Sequence, residues 1–509
     1  MSNYKTGLGS FYTNFMSNIK SVLSKMSVFL NREFSEKNAL LLLSVLYSLA
    51  LLSLLRENVS YRDDIGRTAY GFSGWLDFSR YTTEYLSHVL HAGTYISDIS
   101  PIPQIIAIIE LSLASIFLLK GITGKSSYTI WQIISTIPLG LNPYFLECLS
   151  FKFDSPYMAL SILAAVIPVI FVAHIIQFVF ATVICTVIIC TSYQASIGIL
   201  PMVILFTLLS QFTKGESLNK IITKACAFAI AFIVGAIIFK ALILQPTFRD
   251  YVSVDIAPLD KLPILFFKNM TIYYSELFSK SGFIGSSSLW KKTIVITSIV
   301  MIIVGVVYSK NNKIITFLLV ILSFLLGALL TYGFYACLEK ALFIPRACYG
   351  IGAFLTCVFA FAVSHKDFYI AKICSVILGW SLIVTASTYG NALVSQRNWE
   401  NFRIEEVVND LASINFNGQK FKIKIEGNCG YAPELSYLTI NFPIFTKLIP
   451  QTFGQDFWFW NEPKLSYAYG INELVYDNKI ADEEDPSLVK ETRFHTIKVL
   501  STKKNNNYT

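Results

Sequence analysis

Repeated, almost uncharged apolar runs leave this chain few ways to fold. They lie near 38–55, 102–119, 128–144, 157–173, 175–191, 196–212, 221–243, 292–308, 314–336, 348–364 and 369–388. A helix needs roughly 20 residues to cross the hydrocarbon core, and fewer where its ends are buried in protein. The pattern predicts an all-α polytopic membrane protein of about eleven transmembrane helices. With 54% hydrophobic residues in 509, a soluble fold would have nowhere to hide so much apolar surface. The block 157–212 holds either two spans or three. It divides most naturally at His174 and at Thr191-Ser192-Tyr193-Gln194, where polarity rises.

The charges between the runs give an orientation. Alternate connections are short and basic: Lys120 and Lys125; Lys214, Lys220 and Lys224; Lys310 and Lys313; Lys366. Basic short loops stay cytoplasmic, which accounts for the net charge of +8 without a nucleic-acid partner, for which there is no motif. The opposite connections, 56–101, 145–156, 244–291 and 337–347, are then outer loops. This puts the N-terminus inside and the C-terminal region outside, in the periplasm of a bacterium.

Three further segments have their own character. Residues 1–37 are polar and basic, unlike a cleavable signal peptide, and 8–30 suit a helix on the cytoplasmic surface or one packed on neighbouring loops. In the outer loops, 76–98 and 261–280 have the amphipathic pattern of interfacial helices. The membrane part ends near 394. Beyond it, 398–412 reads as an amphipathic helix and Phe421 to Ile425 alternates as a strand does. Tyr437 to Ile440 and the cluster Phe457-Trp458-Phe459-Trp460 follow. Residues 395–509 are read as a small periplasmic α+β domain.

The chemistry concentrates in Tyr61-Arg62-Asp63-Asp64-Ile65-Gly66-Arg67, just past the first run. Adjacent carboxylates repel, which predicts that one ionises less readily, as suits a general base; Arg62 and Arg67 oppose this. Local ion pairing in a solvated loop is the bland alternative. Gly66, Gly71 and Gly74 imply tight backbone. A lipid phosphate leaving group calls for a cation at the outer boundary. Arg346, after Pro345, is the first candidate, followed by Lys340, Lys152 and Arg80; headgroup contact is the competing explanation for each. Glu147 and Asp154 suit acceptor binding or local pairing with Lys152. Glu110 falls inside a span, where a carboxylate is costly. Trp75, Tyr81, Tyr85, Trp290, Trp458 and Trp460 suit sugar stacking or the interfacial aromatic belt. His88 and His91 lack a third ligand for zinc. Of nine cysteines, Cys148, Cys337, Cys348 and Cys429 lie near the outer face, where a disulfide is open.

The order basic-Asp-Asp-x-Gly-Arg at 62–67, then Gly71-x-x-Gly74-Trp75 and Arg80, resembles the O-antigen glucosyltransferases of the serotype-conversion Gtr family. So do Asn142-Pro143-Tyr144-Phe145-Leu146-Glu147 and Leu149-Ser150-Phe151-Lys152-Phe153-Asp154-Ser155. The resemblance implies a GT-C type enzyme of the bacterial inner membrane. It would move glucose, with inversion, from undecaprenyl-phosphate glucose to an O-antigen repeat of lipopolysaccharide on the periplasmic face. Asp63 or Asp64 would be the base, and Arg62, Arg67, Trp75, Glu147 and Asp154 would support it or bind acceptor. A donor flippase and a donor synthase are implied as functional partners. No cofactor is expected; the pair is Asp-Asp rather than Asp-x-Asp, which argues against metal dependence. Another GT-C transferase, an O-antigen polymerase, and a lipid-linked sugar flippase or transporter remain as alternatives. A transporter would ordinarily show inverted repeats and broken midplane helices.

Overall fold

The structure is a computed structural model that describes residues 31–245, 256–365, 367–413, 421–453, 457–470, 474–475, 486–491 and 495–500. The surface helix expected at 8–30 lies outside these. The first run folds as α1 (Glu36–Ala50) and α2 (Leu52–Glu57), broken at Leu51. The connection 56–101 carries α3 (Asp63–Tyr70) and α4 (Tyr81–Leu90). Then come α5 (Ile102–Thr123), α6 (Pro143–Ser150), α7 (Ser155–Val166), α8 (Ile175–Ser192), α9 (Ile199–Thr213), α10 (Leu218–Ile238), α11 (Leu262–Phe278), α12 (Ser288–Val307), α13 (Lys313–Leu330), α14 (Gly350–Ala362) and α15 (Tyr369–Ala412).

Among the described residues, seven helices are long and apolar enough to cross a membrane: Ile102–Thr123, Ile175–Ser192, Gln194–Thr213, Leu218–Ile243, Ser288–Val307, Lys313–Leu330 and Tyr369–Ala412. The protein is a membrane protein. The other four apolar runs are helical but short or broken. The run 128–144 divides into Ile130–Ile134 and Ile137–Leu141 before Asn142 caps α6 through the Phe145 N–H. In the run 157–173, α7 tightens into a 3-10 turn containing Pro168. Every residue of α14 is buried, so this helix meets protein rather than lipid, and its length is not set by the bilayer.

The core is built by α5 packed along α7 and α1, α9 against α13, and α12 between α14 and α15. The most lipid-like surface belongs to α10, where Ile230, Ile233 and Ile237 are exposed. Helix α15 is a single 44-residue rod, roughly 66 Å long and about twice the hydrocarbon thickness. It runs through the expected boundary at 394 and carries its apolar stripe of Ile404, Val407 and Leu411 into the C-terminal segment. There the stripe packs against Ile425, Phe453, Leu465 and Ile497.

That segment is α+β. Strands β3 (Phe421–Gly427), β4 (Leu474–Val475), β5 (Pro486–Glu491) and β6 (His495–Leu500) form a sheet in the order β4-β3-β6-β5. β3 pairs antiparallel with β6, placing Ile425 opposite Ile497, and parallel with β4. Helices α16 (Leu435–Asn441), α17 (Phe445–Leu448) and α18 (Phe457–Tyr469) complete it. A small antiparallel ribbon, β1 (Glu33–Ser35) with β2 (Ser127–Thr129), ties the start of α1 to the loop after α5.

Candidate functional site

The Asp63-Asp64 pair starts a helix rather than sitting in a loop. Both carboxylates occupy the first turn of α3, at the positive end of its dipole. Gly71 ends the helix at φ 67°, and its N–H returns to the Arg67 carbonyl, a left-handed cap that glycine adopts without strain. Gly66 lies inside the helix and answers no such need. Arg62 just before α3 has φ 47°, a costly conformation for a residue with a Cβ.

The two carboxylates have different surroundings. Asp64 is fully buried. Its Oδ2 accepts the Tyr61 N–H and the Lys152 N–H, each at 3.0 Å. Its own N–H donates back to the Tyr61 carbonyl at 3.1 Å, so this side chain clamps the strained turn. Asp63 is partly exposed and makes no side-chain hydrogen bond or ion pair among the described residues. Burial pushes the Asp64 carboxyl up to about 7, against the two backbone N–H donors and the charges of Lys152 and Arg67. The expected rise exists, but desolvation causes it rather than repulsion by Asp63.

The second motif docks on the first. Arg67 pairs with Asp154 in the protein interior. The other Asp154 oxygen accepts the Trp75 indole N–H at 2.6 Å, and Arg67 lies 4.5 Å above the Trp75 ring. Burial lowers the Arg67 pKa, while Asp63 and Asp64 hold it up. Trp75 is buried and offers no open face for sugar stacking. Asp154 thus pairs with Arg67 and not with Lys152, whose ammonium binds Asp98 at 2.7 Å. Burial disfavours the charged Asp98 carboxyl, but its bonds to Lys152 and Ser100 outweigh this and hold its pKa low.

The loop 337–347 closes the arrangement. Arg346 sits in a 3-10 turn, Pro345–Ala347. Its N–H and its guanidinium bind the two oxygens of buried Glu147, at 2.7 and 3.0 Å. The guanidinium also lies over the ring of Phe151, which meets Tyr61 edge-on at 4.9 Å. The Arg346 carbonyl accepts the Tyr193 hydroxyl, and Arg80 stacks on the Tyr193 ring at 4.8 Å. Arg80 makes no ion pair among the described residues, and its Nε is buried without a partner. Lys340 is exposed in the irregular segment before this turn and joins none of these contacts. A narrow cleft lined by Tyr144, Tyr273, Glu276, Ile344, Cys348 and Lys447 opens beside it.

The C-terminal segment covers α3. The Tyr61 hydroxyl donates to the Leu448 carbonyl at 2.6 Å, α18 packs on α3, and Tyr70 meets Tyr467 edge-on at 5.0 Å. The other candidates join none of these ion pairs. Trp290 is buried and donates to Ser381. His88 binds Glu84, and His91 stacks on Phe153. The nine cysteines are all free thiols. The side chains of Trp458 and Trp460 lie outside the described residues. Tyr61, Asp98 and Glu84 escape a sequence reading. Tyr61 abuts the acidic pair, but nothing near Asp98 or Glu84 marks them.

Residues 52–357 match the family model described as "Glucosyl transferase GtrII". The chain belongs to the GtrII glucosyltransferase family. The matched range holds every pair in the Asp64–Lys152, Arg67–Asp154 and Arg346–Glu147 cluster. A Salmonella phage P22 protein, described as "Uncharacterized 55.3 kDa protein in gtrB 5'region", is 25% identical over 475 residues. The alignment spans 87% of this chain and 93% of the phage protein. No solved structure matches. As a GtrII family member the chain is a membrane glycosyltransferase of O-antigen modification.

Proposed function

We propose that this enzyme moves glucose from undecaprenyl-phosphate glucose to a hydroxyl of an O-antigen repeat, with inversion, at the periplasmic face of the inner membrane. The observation that carries the proposal is the asymmetry of the acidic pair. Asp64 is fully buried, with two backbone N–H donors on its Oδ2 and no partner on its Oδ1, whereas Asp63 is partly exposed and free to meet a substrate at the start of the same helix. In this reading Asp63 is the base and Asp64 its positioning residue. Asp63 takes the acceptor hydroxyl proton as that oxygen attacks the anomeric carbon. The bond from this carbon to the phosphate oxygen breaks on the opposite face, and the electron pair leaves with the lipid phosphate.

Arg80 is the first phosphate ligand we assign, since Arg346 and Lys152 already neutralise Glu147 and Asp98; Arg346 stands behind it on the shared Tyr193. Lys340 is left to headgroup contact. The basic short loops support an inside N-terminus and an outside C-terminal domain. The acceptor would then approach between α3 and α18, and the lipid tail from the bilayer side. A flippase and a synthase would deliver the donor.

The test is transfer by the purified protein from undecaprenyl-phosphate glucose to O-antigen-bearing lipopolysaccharide, with the product linkage read by NMR. Glucose joined with the anomeric configuration opposite to the donor's is expected. Retention of configuration, or no transfer from any polyprenyl-phosphate sugar, would overturn the proposal.

A further inference from the structure

Lys152 is held at both ends. Its N–H donates to Asp64 Oδ2 at 3.0 Å. Its ammonium, on a side chain only 4% exposed, pairs with Asp98 Oδ2 at 2.7 Å. The backbone contact fixes the acidic pair, and the side-chain contact fixes the backbone. Without Asp98 this ammonium would be a nearly buried charge with no counter-ion.

Asp98 is itself anchored. Its Oδ1 accepts the Ser100 N–H at 3.0 Å, an Asx turn, and Asn58 Nδ2 lies 3.5 Å from its Oδ2. Two residues earlier, Ile96 is buried with Trp75, Phe153 and Tyr157, and its N–H donates to the Gly71 carbonyl at 3.0 Å. The Ser97 N–H donates to His91 Nδ1 at 3.3 Å, which closes the segment back onto the end of α4. Segment 91–100 therefore straps α3 from end to end. Ile96 grips the Gly71 cap, and Asp98 reaches through Lys152 to Asp64 in the first turn. The backbone under the strap needs holding, because Arg62 at φ 47° relaxes once its surroundings let go.

We propose that Asp98 is a positioning residue for the acidic pair: through Lys152 it holds the strained turn that presents Asp63. This rests on the transferase reading above for what Asp63 does. The test is Asp98→Asn in the full-length protein in nanodiscs, beside Lys152→Met, the double variant and Asp98→Glu. Asparagine has the shape of aspartate but one acceptor oxygen for two contacts, and no charge for the ammonium. Lys152→Met keeps the backbone N–H and removes the ammonium. Hydrogen exchange over 58–70, read by mass spectrometry, should quicken in both single variants. With undecaprenyl-phosphate glucose and O-antigen-bearing lipopolysaccharide, kcat should fall roughly ten- to hundred-fold in each while KM for the donor holds.

The double variant should lose no more turnover than either single, because both remove the same contact. It strands neither charge, so its melting temperature should recover while kcat stays low. A merely structural role would return the two together. Asp98→Glu should restore most of the turnover. Exchange and kcat at wild-type values in Asp98→Asn, or losses that multiply in the double variant, would overturn the assignment. Exchange that quickens in this pattern in a protein that transfers nothing would support the strap and contradict the transferase reading alone.

Discussion

Asp63 and Asp64 are neighbours in sequence and opposites in environment, and this difference decides what each substitution does. Removing the Asp64 carboxylate leaves the Tyr61 and Lys152 N–H groups buried without an acceptor. Asp64→Ala should therefore destabilise the protein by about 3 kcal/mol, read as a lower apparent melting temperature. Asp64→Asn keeps one acceptor oxygen and should lose less. The pH dependence follows from the raised pKa. The folded state holds the Asp64 proton up to about pH 7, while the unfolded chain releases it near pH 4. The contribution of Asp64 to stability is then full below about pH 4 and falls as pH rises toward 7. The slope between these values should flatten in Asp64→Asn, and an unchanged slope would place the proton elsewhere. The sequence made the pair conspicuous but not its division of labour. Which carboxylate is buried depends on Lys152, 88 residues away, and no local pattern reports that.

At the scale of elements, all the described apolar runs are helical, because hydropathy alone dictates it. Their lengths were less legible. Leu51, Pro138 and Pro168 interrupt runs that look continuous, and α14 is short because protein surrounds it. The boundary drawn at 394 vanishes into α15, since a helix that leaves the membrane and enters a second core keeps its helical period throughout. Contact between α15 and α2 is close at Gly390, where a Cβ would lie 2.2 Å from Ser53 Oγ and 2.7 Å from the Leu54 nitrogen. The backbone nitrogen cannot step aside. Gly390→Ala should cost on the order of 1–3 kcal/mol by overpacking, despite alanine's better helix propensity. A melting temperature at or above wild type would show that α2 moves freely against α15.

Across the whole molecule, the loops 56–101, 145–156 and 337–347 form one unit through polar pairs: Asp64 with the Lys152 backbone, Arg67 with Asp154, and Arg346 with Glu147. The motifs at 61–80 and 142–158 could be recognised in sequence as belonging together, while their pairing could not, because opposite charges on separate loops carry no mark of their partner. Breaking one buried pair strands a charge. Asp154→Ala and Arg67→Ala should each destabilise by roughly 3–5 kcal/mol, and the double variant by much less than their sum. Additive losses would mean that the pair does not hold the loops together. The Tyr61 hydroxyl extends the unit to the C-terminal segment through Leu448, so Tyr61→Phe should speed proteolysis there more than in the membrane part. The central claim is that Asp63 does chemistry and Asp64 holds it in place. The most direct measurement is turnover by Asp63→Asn and Asp64→Asn at saturating donor, with folding checked by thermal melts. Asp63→Asn should lower kcat by about 10²–10⁴ with its melting temperature unchanged, and Asp64→Asn should keep the larger share of turnover; an Asp63→Asn enzyme that turns over at the wild-type rate would contradict the account.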